Sequence, residues 1–264
     1  MKHTIKTINQ LKKNGQKISM VTSYDFTIAK IIDSVGIDMI LVGDSLSNVF
    51  QGNDTTIPVT LDEMIYHGRV VVRGVKNALV VIDMPFGTYQ INEDQAVENA
   101  LKIIKQTNAQ AVKLEGGLEI VNSIHKITTT GIPVMGHLGL TPQSIHQLGS
   151  FELQASTKIT QNKILEDAIA LEKAGCFAIV LEKIPSVIAK EISERLTIPV
   201  IGIGAGNSCD GQVLVINDLL GLDPLFKPKF VRQYLNLSQL ITNAVQNYIS
   251  DIKSGNFPSE LESY

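Results

Sequence analysis

Residues 78–115 read ALVVIDMPFGTYQINEDQAVENALKIIKQTNAQAVKLE, and the order of patterns within this stretch decides the fold. Ala78-Leu-Val-Val-Ile82 is a short apolar run rich in β-branched residues, as a strand covered on both faces requires. Asn92 then offers an N-cap, with Gln95 at the capping-box position, and Ala96, Val97, Ala100, Leu101 and Ile104 recur at helical spacing. Ala111-Val-Lys-Leu114 follows as a second strand. Strand, amphipathic helix and strand in that order make a βα unit whose strands lie parallel.

The same alternation extends in both directions. Eight runs read as strands: Ile18–Thr22, Asp38–Val42, Ala78–Ile82, Ala111–Leu114, Ile132–Met135, Ala178–Leu181, Ile198–Gly202 and Val213–Ile216. Eight is the number that closes a (β/α)8 TIM barrel, and 264 residues match the usual length of one. The expectation is an α/β protein with a single barrel domain over residues 1–264. A short N-terminal helix over residues 7–14, stopped by Gly15, would cover the barrel's N-terminal mouth. Leu237, Leu240, Ile241, Ala244, Val245, Tyr248, Ile249 and Ile252 form one stripe, the mark of a last helix laid against a core. The tail after Gly255 reads as loose. The long irregular stretches 45–60 and 138–158 have the length reserved for functional loops.

Composition narrows the function. A formal net charge of -3 gives no basic face for nucleic acid. The polar start Met1-Lys-His-Thr-Ile-Lys6 leads into no apolar signal region, and no run approaches the roughly 20 apolar residues of a membrane span. Cys176 and Cys209 are too few for a disulfide framework and lack zinc-site spacing. The reading is a cytoplasmic protein with no nucleic-acid or membrane partner.

In a barrel of this kind, the residues that close each strand line the active-site mouth. Here they are Gly43-Asp44-Ser45, Asp83, Lys113-Leu114-Glu115, Gly136-His137 and Glu182. Four carboxylates would repel one another at that mouth unless cations offset them, and a divalent ion held by hard oxygens, Mg2+ or similar, is the simplest remedy. Lys113 and Glu115 stand two apart on one strand, so both aim to the same side. Each residue also has an ordinary reading. A single Asp or Glu after a strand serves as a helix N-cap, a buried lysine as the partner of a structural carboxylate, and His137 as a hydrogen-bonded loop residue. The glycines of Gly202-Ile-Gly-Ala-Gly206 fit no phosphate-loop spacing and are explained by a tight turn or a close backbone approach.

At these residues the chain resembles the ketopantoate hydroxymethyltransferase family. The resemblance rests on Val21-Thr-Ser-Tyr-Asp25, Leu41-Val-Gly-Asp-Ser45, Thr56-Ile-Pro-Val-Thr60, Asp83-Met-Pro-Phe86, Val112-Lys-Leu-Glu-Gly-Gly117, Pro133-Val-Met-Gly-His-Leu-Gly-Leu-Thr-Pro-Gln143, Val180-Leu-Glu182, Ile198-Pro-Val-Ile-Gly-Ile-Gly-Ala-Gly206 and Asp210-Gly-Gln-Val-Leu-Val215. It implies a barrel of the phosphoenolpyruvate mutase and isocitrate lyase kind, assembled into a homodecamer. It also implies a reaction in which a hydroxymethyl group passes from 5,10-methylenetetrahydrofolate to 3-methyl-2-oxobutanoate. Asp44, Asp83 and Glu115 would then hold Mg2+, Ser45, Asp83 and Lys113 would contact the keto acid, and Glu182 would be the catalytic proton acceptor. Asp44, as a ligand of the ion that the acid chelates, and His137, by a hydrogen bond in the site, complete the substrate-binding set. The chain departs from the family at Asn217-Asp218 and at Ser150–Thr157, which bear on the folate and on the loop over the mouth.

Two other readings stay open on the residues. A C–C lyase or phosphonate mutase on the same barrel would share the metal and keto-acid chemistry, but commonly carries a cysteine or arginines at the mouth. The arginines here are Arg69, Arg73, Arg195 and Arg232. A binding barrel that has lost catalysis would have no reason to keep four mutually repelling carboxylates.

Overall fold

The computed structural model describes residues 2–264. They form two compact units, one ending at Val215 and one spanning Ile216–Tyr264. The first is a closed barrel of eight parallel strands: β1 (Ile18–Thr22), β2 (Met39–Val42), β3 (Leu79–Asp83), β4 (Ala111–Glu115), β5 (Val134–Gly139), β6 (Ala178–Glu182), β7 (Val200–Ile203) and β8 (Gly211–Leu214). Each pairs with the next in sequence, and β8 closes on β1 with Gly211 opposite Ile18. The alternation read from the sequence is thus a (β/α)8 barrel.

Every residue of β2, β3 and β4 is buried, which is why Met39–Val42 and Leu79–Ile82 read as continuously apolar rather than alternating. Helix Leu61–Gly74 starts in a full capping box between Thr60 and Glu63. Its Gly68 permits close packing, because a Cβ there would lie 2.5 Å from Ile82 Cδ1. Helix Glu93–Thr107 is capped by Asn92, which accepts from Gln95 N at 2.9 Å. The other half of the expected box does not form, since the Gln95 side chain donates to Gly87 O at 3.2 Å instead. The N-terminal helix runs Ile5–Lys13, two residues earlier than its periodicity suggests, because Thr4 caps it by bonding Thr7. No helix among the described residues is long and apolar enough to cross a membrane.

Only β1 keeps its expected limits; most of the others shift by one or two residues at an end, and β5 and β8 depart furthest. β5 continues through Gly136, His137 and Leu138 to Gly139. Gly136 hides that continuation in the sequence, yet a Cβ there would lie 2.8 Å from Leu171 Cδ1. β8 begins at Gly211 and ends at Leu214, and Ile216 opens a short helix, Ile216–Leu220. Gly211 must lack a side chain, since a Cβ would stand 2.4 Å from Ile18 O.

In the second unit, helix Leu237–Ser254 forms with the expected stripe, capped by Asn236. The expectation that it lies against a core is corrected: none of its residues is buried, and Leu240, Val245 and Tyr248 are about half exposed. Within the unit the stripe meets the Phe257 ring, whose centroid is 5.5 Å from that of Tyr248. The tail after Gly255 is not featureless, for Ser259 and Glu262 cap each other around a 3-10 turn at Glu260–Glu262.

Candidate active site

Register builds the site. Asp83 and Lys113 are paired across β3 and β4, Glu115 and His137 across β4 and β5, and Gly139 and Glu182 across β5 and β6. In parallel strands paired residues face the same side, so the ends of four neighbouring strands deliver their polar groups to one rim. Asp44 joins them from the turn after β2, where its backbone N donates to Asp83 Oδ2 at 3.0 Å.

Lys113 sits at the centre. Its Nζ is 3.0 Å from Asp83 Oδ1, 3.9 Å from Glu115 Oε1 and 3.3 Å from His137 Nδ1, and only 3% of the residue is exposed. Burial alone would lower its pKa, but the charges of Asp83, Glu115 and Asp44 outweigh burial and raise it, so the ammonium stays charged. His137 Nδ1 donates to Glu115 Oε1 at 3.1 Å, and Nε2 stands 3.4 Å from Glu182 Oε2. Burial and Lys113 disfavour the imidazolium, whereas Glu115 and Glu182 favour it more strongly and raise the pKa to about 9.

The carboxylates respond differently to one shared setting. Burial raises the pKa of Asp44 well above the ordinary range, and the charges of Asp83 and Glu115 add to it. Burial also raises Asp83, against the opposing pull of Lys113. Glu115 is lowered in spite of its burial, because His137, Lys113 and the backbone N of Gln143 stabilise its charge. When all four acids are ionised, their four negative charges face one ammonium and one imidazolium, and four minus two leaves two unbalanced. Among the described residues no three His, Cys, Asp or Glu side chains are already gathered as a metal cage. Lys113 lies between the carboxylates instead.

Ser45 follows Asp44 in the turn after β2, and its Oγ is 2.8 Å from Tyr24 OH. Glu182 is the most open of the acids, with 17% of its side chain exposed toward the mouth. Its backbone is pinned by the loop after β5: Leu140 N donates to Glu182 O at 2.8 Å, and a Cβ on Gly139 would lie 2.2 Å from that oxygen. Asp44, Ser45, Asp83, Lys113, Glu115, His137 and Glu182 therefore all stand at or beside one rim. The glycine segment after β7 is a tight turn, with Gly204 and Gly206 at φ +64° and +83° and Gly206 packed against Ser186.

Two residues that sequence reasoning did not assign to the site belong to its support. Gln143 donates from Nε2 to Asp44 Oδ2 at 2.8 Å and from its backbone N to Glu115 Oε2 at 3.0 Å. Tyr89 OH is 2.6 Å from Gln143 Oε1. The available signal was Pro142 in the first turn of a short helix within a long loop, which holds the next residue still.

Known proteins resemble this chain in sequence and in fold. The family model for ketopantoate hydroxymethyltransferase matches residues 2–260. A 3-methyl-2-oxobutanoate hydroxymethyltransferase of Phocaeicola vulgatus is 56% identical over 263 residues, covering 100% of this chain and 96% of the relative. One of the same name from Flavobacterium johnsoniae is 54% identical, over 99% and 96%. Among solved structures, a phosphonopyruvate hydrolase complexed with oxalate and Mg++ superposes with a TM-score of 0.63 at 12% identity, over 98% of this chain and 92% of the other. A 2,3-dimethylmalate lyase, described as a member of the PEP mutase/isocitrate lyase superfamily, gives 0.62 at 14%, over 98% and 90%. The structural neighbours share the fold, and the full-length sequence matches settle the kinship: the chain belongs to the ketopantoate hydroxymethyltransferase family.

Proposed function

We propose that this mouth carries out the reaction for which the family is named, adding a hydroxymethyl group from 5,10-methylenetetrahydrofolate to C3 of 3-methyl-2-oxobutanoate to give ketopantoate. The supporting observation is the rim itself, where a charged Lys113 lies among the buried side chains of Asp83 and Glu115, with Asp44 beside them and the more open Glu182 linked through His137.

The donor set suits a hard divalent cation. Asp44, Asp83 and Glu115 offer only carboxylate oxygens, from three different strand ends. Mg2+ commonly takes one or two carboxylates and fills its other positions with water and substrate oxygens, so it needs no complete protein cage. When bound, it would polarise the keto oxygen and offset the surplus charge.

The remaining work falls to side chains. Lys113 Nζ pairs with the substrate carboxylate, and Ser45 Oγ and Asp83 border the same end of the keto acid. Glu182 takes the proton from C3, being the acid most open to the mouth. His137 joins Glu115 to Glu182 and holds the base toward the substrate. C3 then bonds to the one-carbon unit, both C–N bonds of that unit to the folate break, water supplies the hydroxyl oxygen, and the C3 proton and one proton of that water end on the two nitrogens, so that ketopantoate and tetrahydrofolate leave.

The same reading carries a cytoplasmic homo-oligomer, a decamer by family resemblance. Cys176 and Cys209, both free and buried, suit a reducing compartment. The decisive assay supplies methylenetetrahydrofolate, 3-methyl-2-oxobutanoate and Mg2+ and measures ketopantoate. Product that depends on all three supports the proposal, and cleavage or isomerisation of the keto acid without folate would overturn it.

A further inference from the structure

Gln143 is 4% exposed, and its whole amide is committed. Nε2 donates one proton to Asp44 Oδ2 at 2.8 Å and the other to Met84 O at 3.0 Å. Oε1 accepts from Tyr89 OH at 2.6 Å and from Gln90 Nε2 at 3.3 Å. The backbone N donates to Glu115 Oε2 at 3.0 Å. One residue on the loop after β5 thus ties together the chain just past β2 and β3 and the end of β4.

The amide can point only one way. Turned over, Oε1 would face the Asp44 carboxylate and the Met84 carbonyl, which are both acceptors. Tyr89 fixes that choice from the other side. Its hydroxyl oxygen accepts from Glu115 N at 3.1 Å, so its single proton is free to point to Gln143 Oε1, the shorter of its two acceptor contacts.

We propose that Gln143, oriented by Tyr89, is a positioning residue that sets the Asp44 and Glu115 carboxylates at the spacing a divalent cation needs. The proposal rests on the metal reading given above. It acts through hydrogen bonds to the ligands, not by touching ion or substrate. Partners of this kind commonly contribute 10- to 100-fold to metal affinity, at roughly that order.

The test is binding of Mn2+ alone to the full chain, followed by the electron paramagnetic resonance of the free ion, at a temperature where circular dichroism shows each variant folded. Gln143→Ala is expected to weaken Mn2+ binding roughly 10- to 100-fold. Tyr89→Phe is expected to weaken it less, and to add little on top of Gln143→Ala, because Tyr89 acts through that amide. A purely structural role would instead lower the melting temperature and leave the Mn2+ dissociation constant in place. Unchanged affinity in a folded Gln143→Ala overturns the proposal alone. Failure of the wild-type chain to bind Mn2+ overturns the metal reading and this inference together. If Gln143→Ala does not fold, Tyr89→Phe decides, and wild-type affinity there contradicts the orienting role.

Discussion

Asp83 and Lys113 are register partners on β3 and β4, and their side chains meet at 3.0 Å between Oδ1 and Nζ, both almost completely buried. The pairing is a direct consequence of strand register: a slip by one residue would turn Lys113 out of the rim and leave Asp83 without a counter-charge. Glu115, two residues further along β4, is carried to the same rim by the same register and meets His137 from β5.

Removing one member of such a pair leaves a buried charge unsatisfied. Lys113→Met is therefore expected to lower unfolding free energy by about 3–5 kcal/mol in urea titrations with a chelator present. It should also abolish saturation by the keto acid. A loss below about 1 kcal/mol would mean that the ammonium is better hydrated than its surroundings indicate.

Away from the site, Asp33 holds the entrance to β3. Its carboxylate accepts the backbone N of Lys76, Asn77 and Ala78 at 3.0, 3.0 and 2.8 Å. Burial alone would raise its pKa, but these three donors and the Asn77 side chain bring it below the ordinary 3.8. A depressed carboxylate contributes stability that is present above the unfolded pKa and is lost as pH falls through the folded one. Asp33→Asn is expected to cost about 1–3 kcal/mol at pH 7, with the gap to wild type closing only below 3.8. Chemical denaturation at pH 7 and near pH 3 reads this, and a gap that widened on acidification would contradict it.

Gly139 makes a prediction about the base. Its φ is +95°, and a Cβ would stand 2.2 Å from Glu182 O, so Gly139→Ala must shift the backbone that carries Glu182. Strain of this kind costs about 1–3 kcal/mol before the clash is counted. The expected result is a lower kcat, since the displaced carbonyl belongs to the residue that carries the proposed base. Wild-type kcat in Gly139→Ala would show that the Glu182 carbonyl can move without consequence.

Much of this molecule is legible in its sequence, for reasons that differ by residue. Runs such as Leu79-Val-Val-Ile82 announce strands because both of their faces are covered, and the acids that close them stand out against apolar neighbours. β8 is harder to see because Gly211 carries no side chain and Gln212 points outward. Gln143 could not be assigned from sequence, since its role exists only where Asp44, Met84, Tyr89 and Glu115 converge in space. The stripe on Leu237–Ser254 is periodic as expected, but periodicity reports an apolar face and not what covers it.

The proposed role of Glu182 is removal of the C3 proton of a keto acid held at this rim. It is tested most directly by deuterium wash-in at C3 of 3-methyl-2-oxobutanoate, with Mg2+ present and folate omitted. The wild-type chain should exchange that position, and Glu182→Gln should do so roughly 10²- to 10⁴-fold more slowly while binding the keto acid normally. Exchange by Glu182→Gln at the wild-type rate would contradict the assignment.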